Sequence, residues 1–299
     1  MSHGWNERRP AGRVAYVDGR YVRHGDAGVH IEDRGLQLGD SVYEVCLVSS
    51  GHLMDESEHL DRLERSLREI EVAMPMPRGP LALVMREVVR RNGVCDGLLY
   101  LQVTRGAVRR DHPIPSSQPR PTLMLTARGM DVDGLTRRKE QGIAAITRPD
   151  ERWARRDIKT TQLLANLLAK TEARKAGAYE ALLVDDDGFI TEGSSMNAWI
   201  VDGEGRLVTR SLTHEILPGV TRRVILDAAA EGQLPVVERS FTPEDVLTAR
   251  EAFVSAATGV LPVITLNGRK IGDGKAGPVT RRVQELYGRL AEKRALDRA

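Results

Sequence analysis

Residues 56–92 read as two successive amphipathic helices with strand-like stretches on both sides. Leucine or isoleucine falls at positions 60, 63, 67 and 70 between Glu56 and Ala73, the spacing that lays one apolar stripe along a helix. Residues 80–92 repeat the pattern with Leu81, Val84, Met85, Val88 and Val89, and Asn92-Gly93 ends it. Upstream, Ser41-Val42-Tyr43-Glu44-Val45-Cys46-Leu47-Val48 is rich in β-branched and aromatic residues; downstream, Leu98 to Thr104 is apolar almost throughout. A hairpin about Asp18-Gly19 precedes this block, and Pro121 to Thr126 follows it as another strand. One-sided helices need a sheet to cover, so this half is expected to be α+β.

The chain of 299 residues has room for two domains, each with its own core. Residues 1–12 read as a disordered tail, 13–128 as a small N-terminal domain, 129–138 as a polar linker without periodicity, and 139–299 as a larger C-terminal domain. In the latter, strands are expected at 143–146, 180–184, 189–191, 197–201, 235–239, 252–255 and 261–266. Helices are expected at 160–176, 221–230 and from Pro278 onward, the first with Leu163, Leu164, Leu167 and Leu168 on its apolar face.

Composition narrows the function. Net charge is +2, and no basic tract carries interleaved aromatics, which argues against a nucleic-acid partner. No apolar run approaches the roughly 20 residues needed to span a bilayer, and the N-terminus lacks a signal-like apolar core, so a cytoplasmic location is expected. Cys46 and Cys95 have no CxxC partner, which argues against structural zinc or a disulfide scaffold. No metal site is expected.

Lysine is scarce: seven lysines stand against thirty-seven arginines, and none precedes Lys139. Six of the seven lie in polar surroundings. Lys159 follows Arg155, Arg156 and an apolar Ile158, a setting that favours an amine nucleophile attacking a carbonyl. Downstream, Glu192 sits between Phe189-Ile190-Thr191 and Asn197-Ala198-Trp199-Ile200, joined by Gly193-Ser194-Ser195. A carboxylate there suits a protonated pyridine nitrogen, and the hydroxyls and amides suit an anion; an ordinary strand–turn–strand with a solvated acid fits the same letters. Leu217-Pro218-Gly219-Val220-Thr221 opens a helix whose N-terminus suits a phosphate, and Thr258-Gly259 offers a further hydroxyl and amide. Gly272-Asp273-Gly274-Lys275-Ala276-Gly277 matches GxGxxG, but no second strand follows before the chain ends, so it reads as a loop.

The three motifs in this order resemble the class IV, fold type IV, pyridoxal-phosphate aminotransferases across about residues 13–290. The resemblance implies a two-domain α+β fold with a mixed, β-barrel-like core in the larger domain, pyridoxal 5'-phosphate as cofactor, and a homodimer. It implies that Lys159 attaches the cofactor and moves the substrate proton, and that Glu192 pairs with the pyridine nitrogen. Arg62, Ser194, Ser195, Val220, Thr221, Ala257 and Thr258 would bind the cofactor, with Leu217 packed on its ring. Tyr43, Tyr100, Arg110 and His112 would face the substrate.

The loop Arg105-Gly106-Ala107-Val108-Arg109-Arg110-Asp111-His112 looks like that of D-amino acid aminotransferases, where an Arg-x-His pair traps the α-carboxylate; a planar guanidinium beside an imidazole suits that group. The expected activity is therefore transfer of an amino group from a D-amino acid, such as D-alanine, to a 2-oxo acid. (R)-amine transaminase, branched-chain aminotransferase and aminodeoxychorismate lyase are the rivals within the family, and a non-catalytic binding protein the rival outside it. Leu36, Leu38, Ala256, Ala257 and Arg156 depart from the family pattern.

Overall fold

The computed structural model describes residues 12–296; the expected tail at 1–12 lies, except for Gly12, outside them. The chain divides into two compact units, one holding the residues up to Met130 with Lys159–Thr161, the other holding Asp131–Ile158 and the chain from Gln162 onward.

The first unit runs β1 (Val14–Val17), β2 (Arg20–Arg23), α1 (Arg34–Leu38), β3 (Ser41–Ser49), β4 (His52–Leu53), α2 (Glu56–Glu69), α3 (Arg78–Arg91), β5 (Gly97–Thr104) and β6 (Thr122–Gly129). Its six strands form one antiparallel sheet in the order β2-β1-β6-β5-β3-β4. Asp18 and Gly19 adopt φ of 44° and 90° at the tip of the first hairpin, the left-handed pair that a two-residue turn requires. Along β3, Val42, Glu44, Cys46 and Val48 are buried and Tyr43, Val45 and Leu47 are less so, so the strand turns its even-numbered face inward. That face meets α2, whose Leu60, Leu63 and Leu67 are buried as the leucine spacing required. Burying each such side chain contributes about 2 kcal/mol. Residues 34–38, read from sequence only as the approach to β3, form a one-turn helix because Asp33 accepts hydrogen bonds from the amides of Gly35 and Leu36.

The second unit runs α4 (Val132–Gln141), β7 (Ile143–Pro149), α5 (Leu164–Lys175), β8 (Glu180–Val184), β9 (Ile190–Gly193), β10 (Asn197–Val201), β11 (Leu207–Thr209), α6 (Val220–Glu231), β12 (Val236–Glu238), α7 (Pro243–Thr248), β13 (Glu251–Ala256), β14 (Gly259–Leu266), β15 (Arg269–Lys270) and α8 (Pro278–Leu296). Its nine strands form a mixed sheet in the order β12-β11-β10-β13-β14-β7-β8-β9, with β15 on β14. The sheet curls, so that β9, last in that order, packs beside β10. This is the two-domain α+β architecture expected.

Two expectations need correction. The stretch 129–138, expected as a polar linker without periodicity, ends β6 and then enters a helix, α4, which Asp131 caps by accepting from the amide of Gly134. And the leucines of α5 do not face its core. Ala169 and Ala173 are the buried residues of that helix, packed with Ile146, Ala178, Ala181 and Leu183. Leu164, Leu167 and Leu168 remain 70%, 59% and 55% exposed. Small alanines let the helix lie close on the sheet, and that turns the leucine stripe outward.

Candidate active site

In the first unit the chemistry begins at the open edge of β3. Strand β4 pairs only with residues 48 and 49, which leaves the edge at residues 41–43 without it. The segment 159–161 fills that edge: the Tyr43 amide donates to the Lys159 carbonyl at 2.9 Å, the Thr161 amide donates to the Ser41 carbonyl, and Val42 bridges to Thr160. Backbone pairing therefore fixes where the lysine stands. Its Nζ lies 4.3 Å from the centroid of the Tyr43 ring, which stacks on Tyr100 at 5.7 Å. The Tyr100 hydroxyl donates to Gln102 Oε1, and Gln102 Nε2 donates to Ser41 Oγ. Burial, with Tyr43 beside it, pushes the Tyr100 phenol up to about 12, so it stays protonated and a donor at any working pH. Lys159, Tyr43 and Tyr100 are thus brought together.

Arg62 lies on the other face of the same strand. Its Nε and Nη2 donate to the two oxygens of Glu44 at 2.8 and 2.7 Å, and His59 Nδ1 lies 2.7 Å from the same carboxylate. Burial alone would raise the Glu44 carboxyl; the charge and hydrogen bonds of Arg62, with His59, bring it down to about 2. A guanidinium has five N–H donors, and the two bonds to Glu44 set the plane of the rest.

In the second unit, Glu192 is buried on β9. One oxygen accepts from Arg152 Nη1 at 2.5 Å and the other from Asn197 Nδ2 at 2.8 Å, while the Leu217 amide lies 3.2 and 3.3 Å from the pair. Arg152 is not Glu192's alone: its Nε and Nη2 both donate to Asp150 at 2.8 Å. The Thr191 hydroxyl closes the arrangement by donating to Asp150 at 2.6 Å. Burial pushes Glu192 above the ordinary carboxylate value, Arg152 opposes this only in part, and the Asp150 charge pushes the same way as burial. Asp150 has Arg156 at 3.5 Å besides Arg152, whereas Arg152 is the cation that meets Glu192, and it offsets the burial of Glu192 only in part.

The helix that follows is tied to this acid. Asn197 Nδ2 also donates to the Leu217 carbonyl, and a Cβ on Gly219 would fall 2.0 Å from Asn197 Oδ1, so only glycine passes there. Helix α6 then starts at Val220 and Thr221, both buried, with no side-chain cap. The Ser194 and Ser195 hydroxyls face Glu180: both Ser194 Oγ and its amide bond Glu180 Oε1, Ser195 Oγ lies 3.2 Å from Oε2, and Lys170 Nζ donates there at 2.7 Å. Ala257 and Thr258 form the turn between β13 and β14. Arg110 and His112 stand exposed on the 105–121 loop. The two arginines before the lysine are engaged by acids, Arg155 by Asp157 and Arg156 by Asp150 at 3.5 Å.

These residues fit pyridoxal phosphate. A buried carboxylate short of positive charge suits a protonated ring nitrogen. A buried helix start without a side-chain cap suits a phosphate. Sequence reasoning missed Asp150, Arg152 and Glu180, several of whose partners lie far off in the chain, Glu192 being 40 positions from Arg152 and Thr191 41 from Asp150; only the Pro149-Asp150-Glu151-Arg152 charge alternation hinted at the first two.

Comparison with known proteins agrees with this chemistry. The family model described as amino-transferase class IV matches residues 41–266. The chain is 36% identical over 283 residues to a D-alanine aminotransferase of Staphylococcus haemolyticus, covering 94% of this chain and 98% of that one. It is 38% identical over 273 residues to a D-alanine aminotransferase of Listeria innocua, covering 91% and 93%. Among solved structures, the branched-chain amino acid aminotransferase from Escherichia coli superposes with a TM-score of 0.85 at 28% identity, covering 94% of each chain. A T.th. branched-chain amino acid aminotransferase, solved with pyridoxamine 5'-phosphate, superposes with a TM-score of 0.85 at 26% identity, covering 94% and 95%.

Proposed function

Since the chain belongs to the class IV aminotransferases, which depend on pyridoxal phosphate, we propose that it moves the amino group of a D-amino acid, D-alanine first, to a 2-oxo acid such as pyruvate or 2-oxoglutarate. The observation that carries this reading is the similarity over nearly the whole chain to D-alanine aminotransferases.

Pyridoxal phosphate, when bound, supplies an electron sink for the α-carbanion. The protein's residues do the rest. Lys159 would hold the cofactor through its amine and would take the proton from the substrate α-carbon. Its carbonyl bond to Tyr43 holds the backbone from which the amine works. Glu192, fixed by Asn197 and the Leu217 amide, holds the ring nitrogen protonated. Val220 and Thr221 would offer helix amides to the phosphate, Leu217 would pack on the ring, and Arg62, Ser194, Ser195, Ala257 and Thr258 would complete the cofactor's surroundings. Tyr43 and Tyr100 line the substrate side, and Arg110 with His112 binds the α-carboxylate.

Initial rates on D-alanine, L-leucine and (R)-1-phenylethylamine with 2-oxoglutarate test the reading. D-alanine is expected to be the best donor and Lys159→Ala to abolish turnover. L-leucine as the best donor would instead support the branched-chain activity named for the structural neighbours. Full turnover by Lys159→Ala would refute the assignment.

The exposed stripe Leu164, Leu167 and Leu168 supports a homodimer. Leu167→Lys is expected to shift sedimentation toward the monomer. None of the described helices is long and apolar enough to cross a membrane, and both cysteines are unpaired, in keeping with a cytoplasmic location.

A further inference from the structure

The residues expected to bind the substrate carboxylate are exposed, yet the loop that carries them is tied down from beneath. Arg34, the first residue of α1, is buried. Its guanidinium donates from Nη1 to the Asp111 carbonyl at 2.7 Å and from Nη2 to the His112 carbonyl at 3.4 Å, while Nε donates to Asp40 at 2.8 Å. Asp40 also accepts from Arg105 Nε at 2.7 Å, and Arg105 in turn donates to the Ile70 and Glu71 carbonyls after α2. One carboxylate therefore serves both the arginine that starts the loop and the arginine that holds it at Asp111 and His112. Backbone bonds reinforce the near half: Arg34 N to Gly106 O at 3.0 Å, Val108 N to Glu32 O, and a bridge from Asp33 to Ala107. Gly106, at φ of 102°, could not carry a Cβ, which would lie 2.1 Å from the Arg120 carbonyl, so the returning strand of the loop closes tightly over its base. From Asp111 on, Arg34 is the anchor.

We propose that Arg34 is a positioning residue for the substrate α-carboxylate: by holding the main-chain carbonyls of Asp111 and His112 it sets the course of the loop that presents Arg110 and His112 together. The proposal rests on reading that loop as the carboxylate site. Only a planar fork satisfies two successive carbonyls and a carboxylate at once; a lysine ammonium in the same place keeps the charge opposite Asp40 but reaches fewer of them.

The test uses the pyridoxal-phosphate-loaded enzyme with Arg34→Lys and Arg34→Gln. Two readouts are taken beside the melting temperature: the rate of tryptic scission after Arg109 and Arg110 under native conditions, and KM against kcat for D-alanine. Losing one or two hydrogen bonds from a charged donor corresponds to about a tenfold to hundredfold change. Scission is expected to quicken by that factor and KM to rise by a similar one, with kcat nearly unchanged; the melting temperature is expected to hold in Arg34→Lys, which keeps a charge opposite Asp40, and to fall in Arg34→Gln, which does not. Should Arg34→Gln fail to fold, Arg34→Lys carries the test. Unchanged scission would overturn the anchoring, whatever the substrate proves to be. Faster scission with unchanged KM would overturn the positioning role. Arg110→Ala, assayed alongside, tells the two failures apart: if it too leaves KM unchanged, the loop is not the carboxylate site and the substrate reading falls with it.

Discussion

Glu44 and Glu192 are both buried carboxylates on β-strands, and each touches an arginine, yet folding shifts their carboxyls in opposite directions. Glu44 has Arg62 across both of its oxygens and His59 besides, and its carboxyl is brought down to about 2. Glu192 shares Arg152 with Asp150, and its carboxyl is pushed up. A buried acid that is fully paired acts as a clamp between a strand and a helix. A buried acid that must divide its cation remains in need of another positive charge, and in a class IV aminotransferase a protonated pyridine ring can supply one. Both acids are buried; what separates the structural carboxylate from the cofactor-facing one is how fully a cation and hydrogen bonds offset that burial.

The sharpest way to break this contrast is Glu192→Gln. Removing a preorganised charge at the reacting group is expected to lower D-alanine turnover about 100- to 1000-fold. The melting temperature of the cofactor-free protein should hold or rise, because the amide removes a buried charge and returns Arg152 to Asp150. A fall in turnover of less than tenfold would place Glu192 with Glu44. Glu44→Gln should do the reverse, leaving Arg62 buried without its counter-charge at a cost of about 3–5 kcal/mol in urea unfolding; a cost under about 1 kcal/mol would mean that the pair is not a clamp.

Acid titration adds a third contrast. Glu44 falls from 4.5 to about 2 on folding, which contributes about 3 kcal/mol of stability above pH 4.5. That contribution should fade as the pH drops from about 4.5 toward 2 and be missing from Glu44→Gln. Glu192 has the opposite sign, favouring the fold while protonated and less so as the pH rises through its raised value, so Glu192→Gln should flatten the profile at the upper side. Thr191→Val is the smallest change: it deletes one hydroxyl bond to Asp150 and should cost about 1 kcal/mol. A cost well above that would show the Asp150–Arg152–Glu192 group to be more cooperative than its pairwise bonds.

Much of the fold was legible in the letters. The leucine spacing of α2, the Asp18-Gly19 turn and the β-branched run of β3 are local signals, and the structure places all three where periodicity and turn chemistry put them. The polar stretch before residue 138 misled, because α4 has few apolar residues and is ended by Gly142 rather than by an apolar pattern. The leucines of α5 misled for another reason: an apolar stripe states that something covers it, not what. The motifs around Lys159, Glu192 and Val220 could be read as candidates because each is continuous in the chain. Arg152 could not, since a guanidinium shared by Asp150 and Glu192 exists only once β9 lies beside the segment after β7.

By itself the sequence determined which residues could do chemistry, through side-chain type and local spacing. The tertiary structure alone decided their states: that Lys159 is pinned to the free edge of β3, that Arg62 answers to Glu44, that Glu192 shares Arg152 with Asp150. The physical reason is range. Periodicity and turn propensities act over a few residues, whereas desolvation and charge pairing depend on groups tens of positions apart that folding brings within about 3 Å.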